Sequence, residues 1–232
     1  MFYWPVGWND WTWLLLIPAL IITIWAQARV SSTYRKYSKV RVSSGVTGAA
    51  FAQTMLRQNG VSGVNIVRIK GEMTDHFDPK NGTVALSEGV YAKDSVAAVA
   101  IAAHECGHVL QHEKKYGPMK VRGALVPVTN ICSTIAFPLI LIGIIFSGFT
   151  VLIDIGTWLY LAVVIFQLVT LPVEFNASGR ALQNISASGV MTETEQAEAK
   201  KMLSTAALTY VAAMLASFLS FLRLFLLSRR SR

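Results

Sequence analysis

The 232-residue chain predicts an α-helical membrane protein with about four transmembrane helices and a small α+β domain between the first and the second. Three observations carry that expectation. Hydrophobic residues make up 53% of the sequence and charged residues only 15%, with a mean hydropathy of +0.46, more apolar than soluble domains usually are. The apolar residues gather into runs long enough to cross a bilayer, which takes about 20 residues of helix. Between the first run and the second lie roughly 100 residues of mixed pattern, enough for one small domain and not for two.

The first run covers residues 11–28 and carries no charge. Tyr3, Trp4, Trp8, Trp11 and Trp13 crowd its start, where amphipathic rings favour the headgroup region. Ala26-Gln27-Ala28 looks like the cleavage site of a secretory leader, but a leader needs a basic start. Here no Lys or Arg precedes the run and Asp10 is acidic, whereas Arg29, Arg35, Lys36, Lys39 and Arg41 follow it. Positive charge stays inside, so residues before the run are expected outside and residue 29 onward in the cytoplasm.

Val46 to Gln58 reads as a helix closed by Asn59-Gly60, and Val64 to Ile69 alternates as a strand. Gly71 to Gly82 reads as a loop rich in Asp, Pro, Asn and Gly, followed by a second strand at Thr83 to Ser87. Asp94 and Ser95 are N-cap types, and Ser95 to Ala103 is an Ala-rich helix former. Gly117-Pro118 breaks that helix. Further apolar runs cover residues 131–149, 155–173 and about 205–222, and Thr192-Glu193-Thr194-Glu195 reads as a capping box opening the helix into the last.

The expected division is a 1–28 transmembrane anchor, a 29–126 cytoplasmic domain, a 127–173 transmembrane hairpin, a 174–204 cytoplasmic helical segment, and a 205–232 transmembrane helix with a basic tail. Four spans put the C-terminus outside, where Arg223, Arg229, Arg230 and Arg232 oppose positive-inside reasoning. Four spans are still favoured over a last helix lying in the interface, because Ala206 to Leu222 is uncharged and apolar on every face.

Of the 21 Lys and Arg residues, 14 lie between Arg29 and Arg122, so the net charge of +8 belongs largely to the cytoplasmic part. It is read as topology and attraction to anionic headgroups, and no aromatic-and-basic motif points to nucleic acid. The two cysteines, Cys106 and Cys132, give no disulfide framework and fit a reducing compartment.

Near the middle of the chain, Ala100-Ile101-Ala102-Ala103 leads into His104-Glu105-Cys106-Gly107-His108, an H-E-x-x-H pattern. Residues four apart on a helix share one face about one turn distant, so the two imidazoles converge on a single ion. Glu105, one step round, is placed over the open coordination position. Zn²⁺ in such a site brings the pKa of its bound water near neutrality, and a carboxylate placed like Glu105 takes that water's proton as it attacks a peptide carbonyl. The same spacing also arises by chance on ordinary helices, but a capped, Ala-rich carrier helix favours the metal. Cys106, two residues from each histidine, is expected to point away as a small core residue.

A hydrolytic zinc site needs a third protein ligand. His112 lies eight residues beyond His104, roughly 12 Å along a straight helix, and cannot share one ion with both other histidines. A glycine turn after the second histidine would bring a later one back, but Val109, Leu110 and Gln111 stand there. Asp154, between the second and third spans, falls on the far face if both cross. Glu174 comes 20 residues later, roughly 30 Å along a helix, and so returns to the face of the motif as the expected third ligand.

Several stretches now acquire a family likeness: Asp75-His76-Phe77-Asp78-Pro79, Leu86-Ser87, the His104 to His108 pattern, Leu171 to Ser178 and Ala206 to Ala213. Through them the chain resembles the YugP-type zinc-dependent membrane proteases along nearly its whole length. More distantly it is similar to the HtpX and CAAX-prenyl-protease gluzincins, in which a helix after the membrane hairpin supplies a glutamate in an E-x-x-A-D pattern. Glu174 and Ala177 match that pattern and Ser178 stands at the aspartate position, which makes Asn176 or Ser178 the substitute partner of a ligand histidine. The resemblance implies a gluzincin-like domain with Zn²⁺ and endopeptidase activity, without identifying a substrate.

Other candidates carry weaker arguments. Asp75 and His76 would approach the cleft, although a turn-rich loop needs such residues for its shape. Tyr210 and Arg180 would donate to a tetrahedral oxyanion, against the plainer readings of a packing tyrosine and a snorkelling arginine. Glu193, Glu195 and Glu198 read as a solvated face.

The sequence thus predicts a membrane-anchored zinc metalloendopeptidase of the cell membrane, multi-pass, with its catalytic domain in the cytoplasm. Its expected partners are membrane lipid and protein substrates, chiefly membrane proteins. Thr83 to Ser87 is expected to offer the sheet edge on which an extended substrate pairs. One alternative is a site-2-type intramembrane protease, which would need the motif inside a span; Lys93, Asp94, Glu113, Lys114 and Lys115 bracket the helix too closely. The other is an inactive zinc-stabilised scaffold or adaptor, against which Glu105 speaks.

Overall fold

The computed structural model describes residues 11–146 and 149–230. Tyr3, Trp4, Trp8, Ser231 and Arg232 lie outside the described residues, while Trp11 and Trp13 are exposed at the head of the first helix. The chain falls into two compact units, residues 27–120 with 172–208, and residues 1–26 with 121–171 and 209–232.

The first of these holds the α+β domain. After the end of α1 (Leu16–Tyr37) come α2 (Gly48–Gln58), strands β1 (Asn65–Ile69), β2 (His76–Asp78) and β3 (Thr83–Ser87), the single turn α3 (Glu88–Tyr91), and α4 (Val96–Glu113). From Val96 to Ala103 helix α4 is apolar because it is covered: Val96 to Ala100, Ala102 and Ala103, like Cys106 farther on, are fully buried. Alanine lets neighbours approach such a helix closely while keeping high helix propensity. Phe51, Met55, Leu86, Val90, Ile185 and Met202 complete the same core.

The start of α4 is fixed by chemistry that the sequence displayed. Ser95 is the N-cap and its Oγ accepts from the Ala98 amide. Residues 40–42 run beside it as a strap: the Val40 carbonyl accepts from the Val96 amide, the Val42 amide donates to the Asp94 carbonyl, and Arg41 pairs with the Asp94 carboxylate. The helix ends at Glu113, and Gly117-Pro118 opens α5 (Gly117–Ile145).

The sheet corrects two expectations. Within the stretch expected as loop, His76 to Asp78 forms β2, because Asp75 accepts from the Ser87 amide and hydroxyl and so holds the chain extended beside β3. The strand order is β1-β3-β2, β3 being parallel to β1 and antiparallel to β2. Thr83 to Ser87 is therefore the central strand, hydrogen-bonded on both sides, and offers no free edge. β1 and β2 are the edges.

The same unit contains residues 172–188 of α6 (Thr150–Ser188) and 193–208 of α7 (Glu193–Arg230). The capping box opening α7 is reciprocal: the Glu195 amide donates to Thr192 Oγ1 and the Thr192 amide to Glu195 Oε2. Glu195 also accepts from the amide and hydroxyl of Ser43. Thus it is a structural acceptor beyond a solvated face.

The other unit is built from apolar helix. Among the described residues, four helices are long and apolar enough to cross a membrane, Trp11–Tyr37 (a 3₁₀ turn running into α1), α5, α6 and α7. Helix α4 is not among them. Large apolar side chains such as Leu20, Ile24, Ile131, Phe137, Trp158 and Leu168 are exposed along them, as surfaces facing hydrocarbon must be.

Within this unit α6 and α7 lie antiparallel. Ser228 Oγ donates to Asp154, the Trp158 ring meets the rings of Phe225 and Phe221, and Tyr160 shares a hydrogen bond with Ser220. As the chain ascends on one helix it descends on the other, the register of two rods side by side, so α7 follows α6 along this stretch. Asp154 belongs here and the motif to the other unit.

With Cys106→Ser and Cys132→Ser as background, Trp158→Cys combined with Phe225→Cys should be joined by a short bifunctional thiol reagent in membranes. Trp158→Cys with Val211→Cys, roughly 20 Å farther along α7, should not. Equal cross-linking of the two pairs would mean that α7 lies elsewhere.

Candidate metal centre

His104 and His108 occupy one face of α4, with ring centroids 4.8 Å apart and planes at 85°. Glu174 reaches them from α6, where it is almost fully buried at 2% exposure. Its Oε2 stands 3.2 Å from His104 Nε2 and 3.5 Å from His108 Nε2. Three donors around a tetrahedral zinc at about 2.1 Å stand about 3.4 Å apart, so both separations are edges of the right length. Among the described residues this is the one group of three metal-ligating side chains gathered closely enough to hold an ion.

The approach of α6 to α4 is set by Gly107. A β-carbon at that position would sit 2.5 Å from the carbonyl oxygen of Ala177. The glycine between the two histidines lets the backbone carrying Glu174 come within reach of both. Ala177 itself is fully buried.

Each histidine is also held from behind. His104 Nδ1 lies 3.1 Å from Ser178 Oγ, and His108 Nδ1 lies 3.0 Å from Gln111 Oε1. Gln111 Nε2 donates to the Val173 carbonyl at 2.7 Å and to Asn176 Oδ1 at 3.0 Å. Asn176 Oδ1 accepts in addition from Arg180 Nε, and the Arg180 guanidinium lies over the Tyr116 ring. Hence Ser178 touches a ligand histidine, whereas Asn176 reaches one only through Gln111. Sequence reasoning passed over Gln111. Its signal was a polar side chain one turn beyond His108, directly after the apolar Val109 and Leu110.

Glu105 is buried at 8% exposure. Burial opposes charge on His108, but the hydrogen bond and charge of Glu174, the charge of Glu105, and Gln111 outweigh it and raise its pKa above the ordinary 6.5. Cys106 points into the core, with Sγ toward the Ala52 carbonyl, and burial pushes its thiol pKa up.

Asp75, His76 and Arg180 hydrogen-bond to residues other than the three ligands. His76 is exposed on β2 with Nδ1 on the Thr74 carbonyl, and Asp75 is committed to Ser87. His112 meets Phe77 edge-on, so the Asp75 to Pro79 stretch packs one turn beyond the motif. Arg180 spends its Nε on Asn176. Tyr210 falls in the other unit.

Residues 12–229 match a family model described as "Putative neutral zinc metallopeptidase". The chain is 47% identical over 209 residues to the Bacillus subtilis (strain 168) protein described as "Putative membrane protease YugP", covering 90% of this chain and 92% of that one. No solved structure matches the chain.

Two outcomes follow from this geometry. Gly107→Ala should cost about 1–3 kcal/mol by overpacking and lower the zinc content of purified protein, as read by metal analysis and thermal unfolding. Gly179→Ala, which meets nothing within 4 Å, should leave zinc content unchanged.

The second concerns pH. Zinc must displace the proton of His108, whose pKa is raised, so affinity should be full above that pKa and fall as pH drops through it. The fall should begin above 6.5, the ordinary histidine value. A chelator-competition titration over pH measures it, and a fall starting only below 6.5 would contradict the raised value.

Proposed function

Since the chain belongs to the neutral zinc metallopeptidase family, we propose that it is a membrane-anchored zinc metalloendopeptidase cleaving protein substrates at the cytoplasmic face of the cell membrane. The observation that carries the reading is the gathering of His104, His108 and Glu174 close enough to hold one ion, with Glu174 Oε2 3.2 and 3.5 Å from the two imidazole nitrogens and Glu105 next to the first ligand on the same helix. Bound zinc supplies a Lewis acid and a water whose pKa is near neutral.

The protein supplies the rest. His104, His108 and Glu174 hold the ion, and Glu105 takes the proton of the attacking water and passes it to the leaving amine nitrogen as the peptide bond breaks. Ser178 and Gln111 keep the two rings aimed. A cytoplasmic site is supported by the 14 Lys and Arg residues between Arg29 and Arg122.

Substrate pairing moves from β3 to an edge. β2 is the edge strand that packs against α4, through Phe77 on His112, so an extended peptide added there would run beside the motif helix. Intramembrane cleavage of the site-2 type is disfavoured because α4 is not one of the four apolar helices.

Glu105→Gln should keep zinc and fold while lowering hydrolysis of a casein-like or membrane-protein substrate by roughly 10²-fold or more, the scale of a lost general base. Undiminished turnover by the purified variant, with contaminating proteases excluded, would sink the mechanism.

A further inference from the structure

We infer that Gln111 is a positioning residue that commits His108 to bind metal through Nε2, by presenting its amide oxygen, and only its oxygen, to Nδ1. The inference rests on the zinc site proposed above. An amide side chain offers an acceptor at one end and donors at the other, and its two ends differ little in shape. Which end faces His108 is therefore decided by the partners of Gln111, and those partners permit one answer.

The chain of constraint begins at Arg180. A guanidinium only donates, so the atom of Asn176 facing Arg180 Nε at 2.8 Å must be the amide oxygen. That same oxygen faces Gln111, 3.0 Å away, so Gln111 must turn its NH₂ group toward it. The Val173 carbonyl, an acceptor only, makes the same demand at 2.7 Å. Both hydrogens of Gln111 Nε2 are then used, and Oε1 is left facing His108 Nδ1 at 3.0 Å. An oxygen there requires a proton on Nδ1, which places the free lone pair on Nε2, the atom turned toward Glu174.

Gln111 is fully buried, so water is not at hand to relax any of these demands. The arrangement at His104 differs. A hydroxyl can turn to donate or accept, so Ser178 supports either tautomer of its histidine. The two ligands are thus held by partners of unequal stringency: His108 is locked, and His104 follows the metal.

The test uses the full-length protein in detergent, labelled with ¹⁵N in its four histidines and loaded with zinc. In the unsubstituted protein His108 should show a slowly exchanging Nδ1–H and a metal-bound Nε2. Gln111→Met keeps the volume and removes the acceptor. It should lose that protected Nδ1–H signal and bind zinc about 10–100-fold more weakly in chelator competition, the usual cost of losing such a partner.

Arg180→Met should change the same signal and weaken zinc by a smaller factor, since the Val173 carbonyl still orients the amide. It decides the matter if Gln111→Met does not fold. An unchanged His108 signal with unchanged zinc affinity in the folded Gln111→Met protein, or in Arg180→Met should Gln111→Met not fold, would overturn the inference and leave the metallopeptidase reading standing. Failure of the unsubstituted protein to bind zinc would overturn both.

Discussion

One carboxylate oxygen, Glu174 Oε2, faces two imidazoles inside the protein, and much of the α+β unit is arranged to make that meeting possible. A buried carboxylate without partners costs several kcal/mol, and at 2% exposure Glu174 has the two histidines beside it. The requirement reaches outward through the packing. Gly107 removes the side chain that would hold α6 away, and Ala177 fills the place where the two backbones meet. Ser178 and Gln111 take the nitrogen atoms that face away from Glu174.

The same helix that brings Glu174 also carries an apolar run, because α6 continues unbroken from Thr150 to Ser188. The apolar run and the ligand therefore belong to one helix. The motif helix is placed by a different route. Its first turn is tied to the strap at residues 40–42, which follows directly on α1. Glu195 fastens the strap's next residue, Ser43, to the start of α7.

Much of this was legible in the residues, and what was not has a physical reason. The i, i+4 histidines, the Ser95 cap, the capping box at Thr192 to Glu195 and the apolar runs are local patterns, and local patterns survive in a sequence. The choice of Glu174 over Asp154 needed only helix length. By contrast, β2 is three residues long and exists through the bonds of Asp75 to Ser87, so its Asp-Pro-Asn-Gly surroundings read as a turn. The central place of β3 depends on strand order, which is a non-local fact. Gln111 was hidden for the same reason: its partners Val173 and Asn176 are more than 60 residues away.

The pairing of Ser228 with Asp154 bears on how the last helix enters a bilayer. In the four-span orientation expected from the sequence, with the metal-binding unit cytoplasmic, Arg229 and Arg230 would be carried outward against a membrane potential that is negative inside, at a cost of roughly 2.3 kcal/mol per charge for each 100 mV. Their own charges pull the helix the wrong way. The α6 surface offers the compensation, an acceptor in Asp154 for the helix end and an aromatic face in Trp158 for Phe221 and Phe225. In that orientation the last helix would take its place from α6, which precedes it in the chain, and the order of synthesis would then bear on the topology.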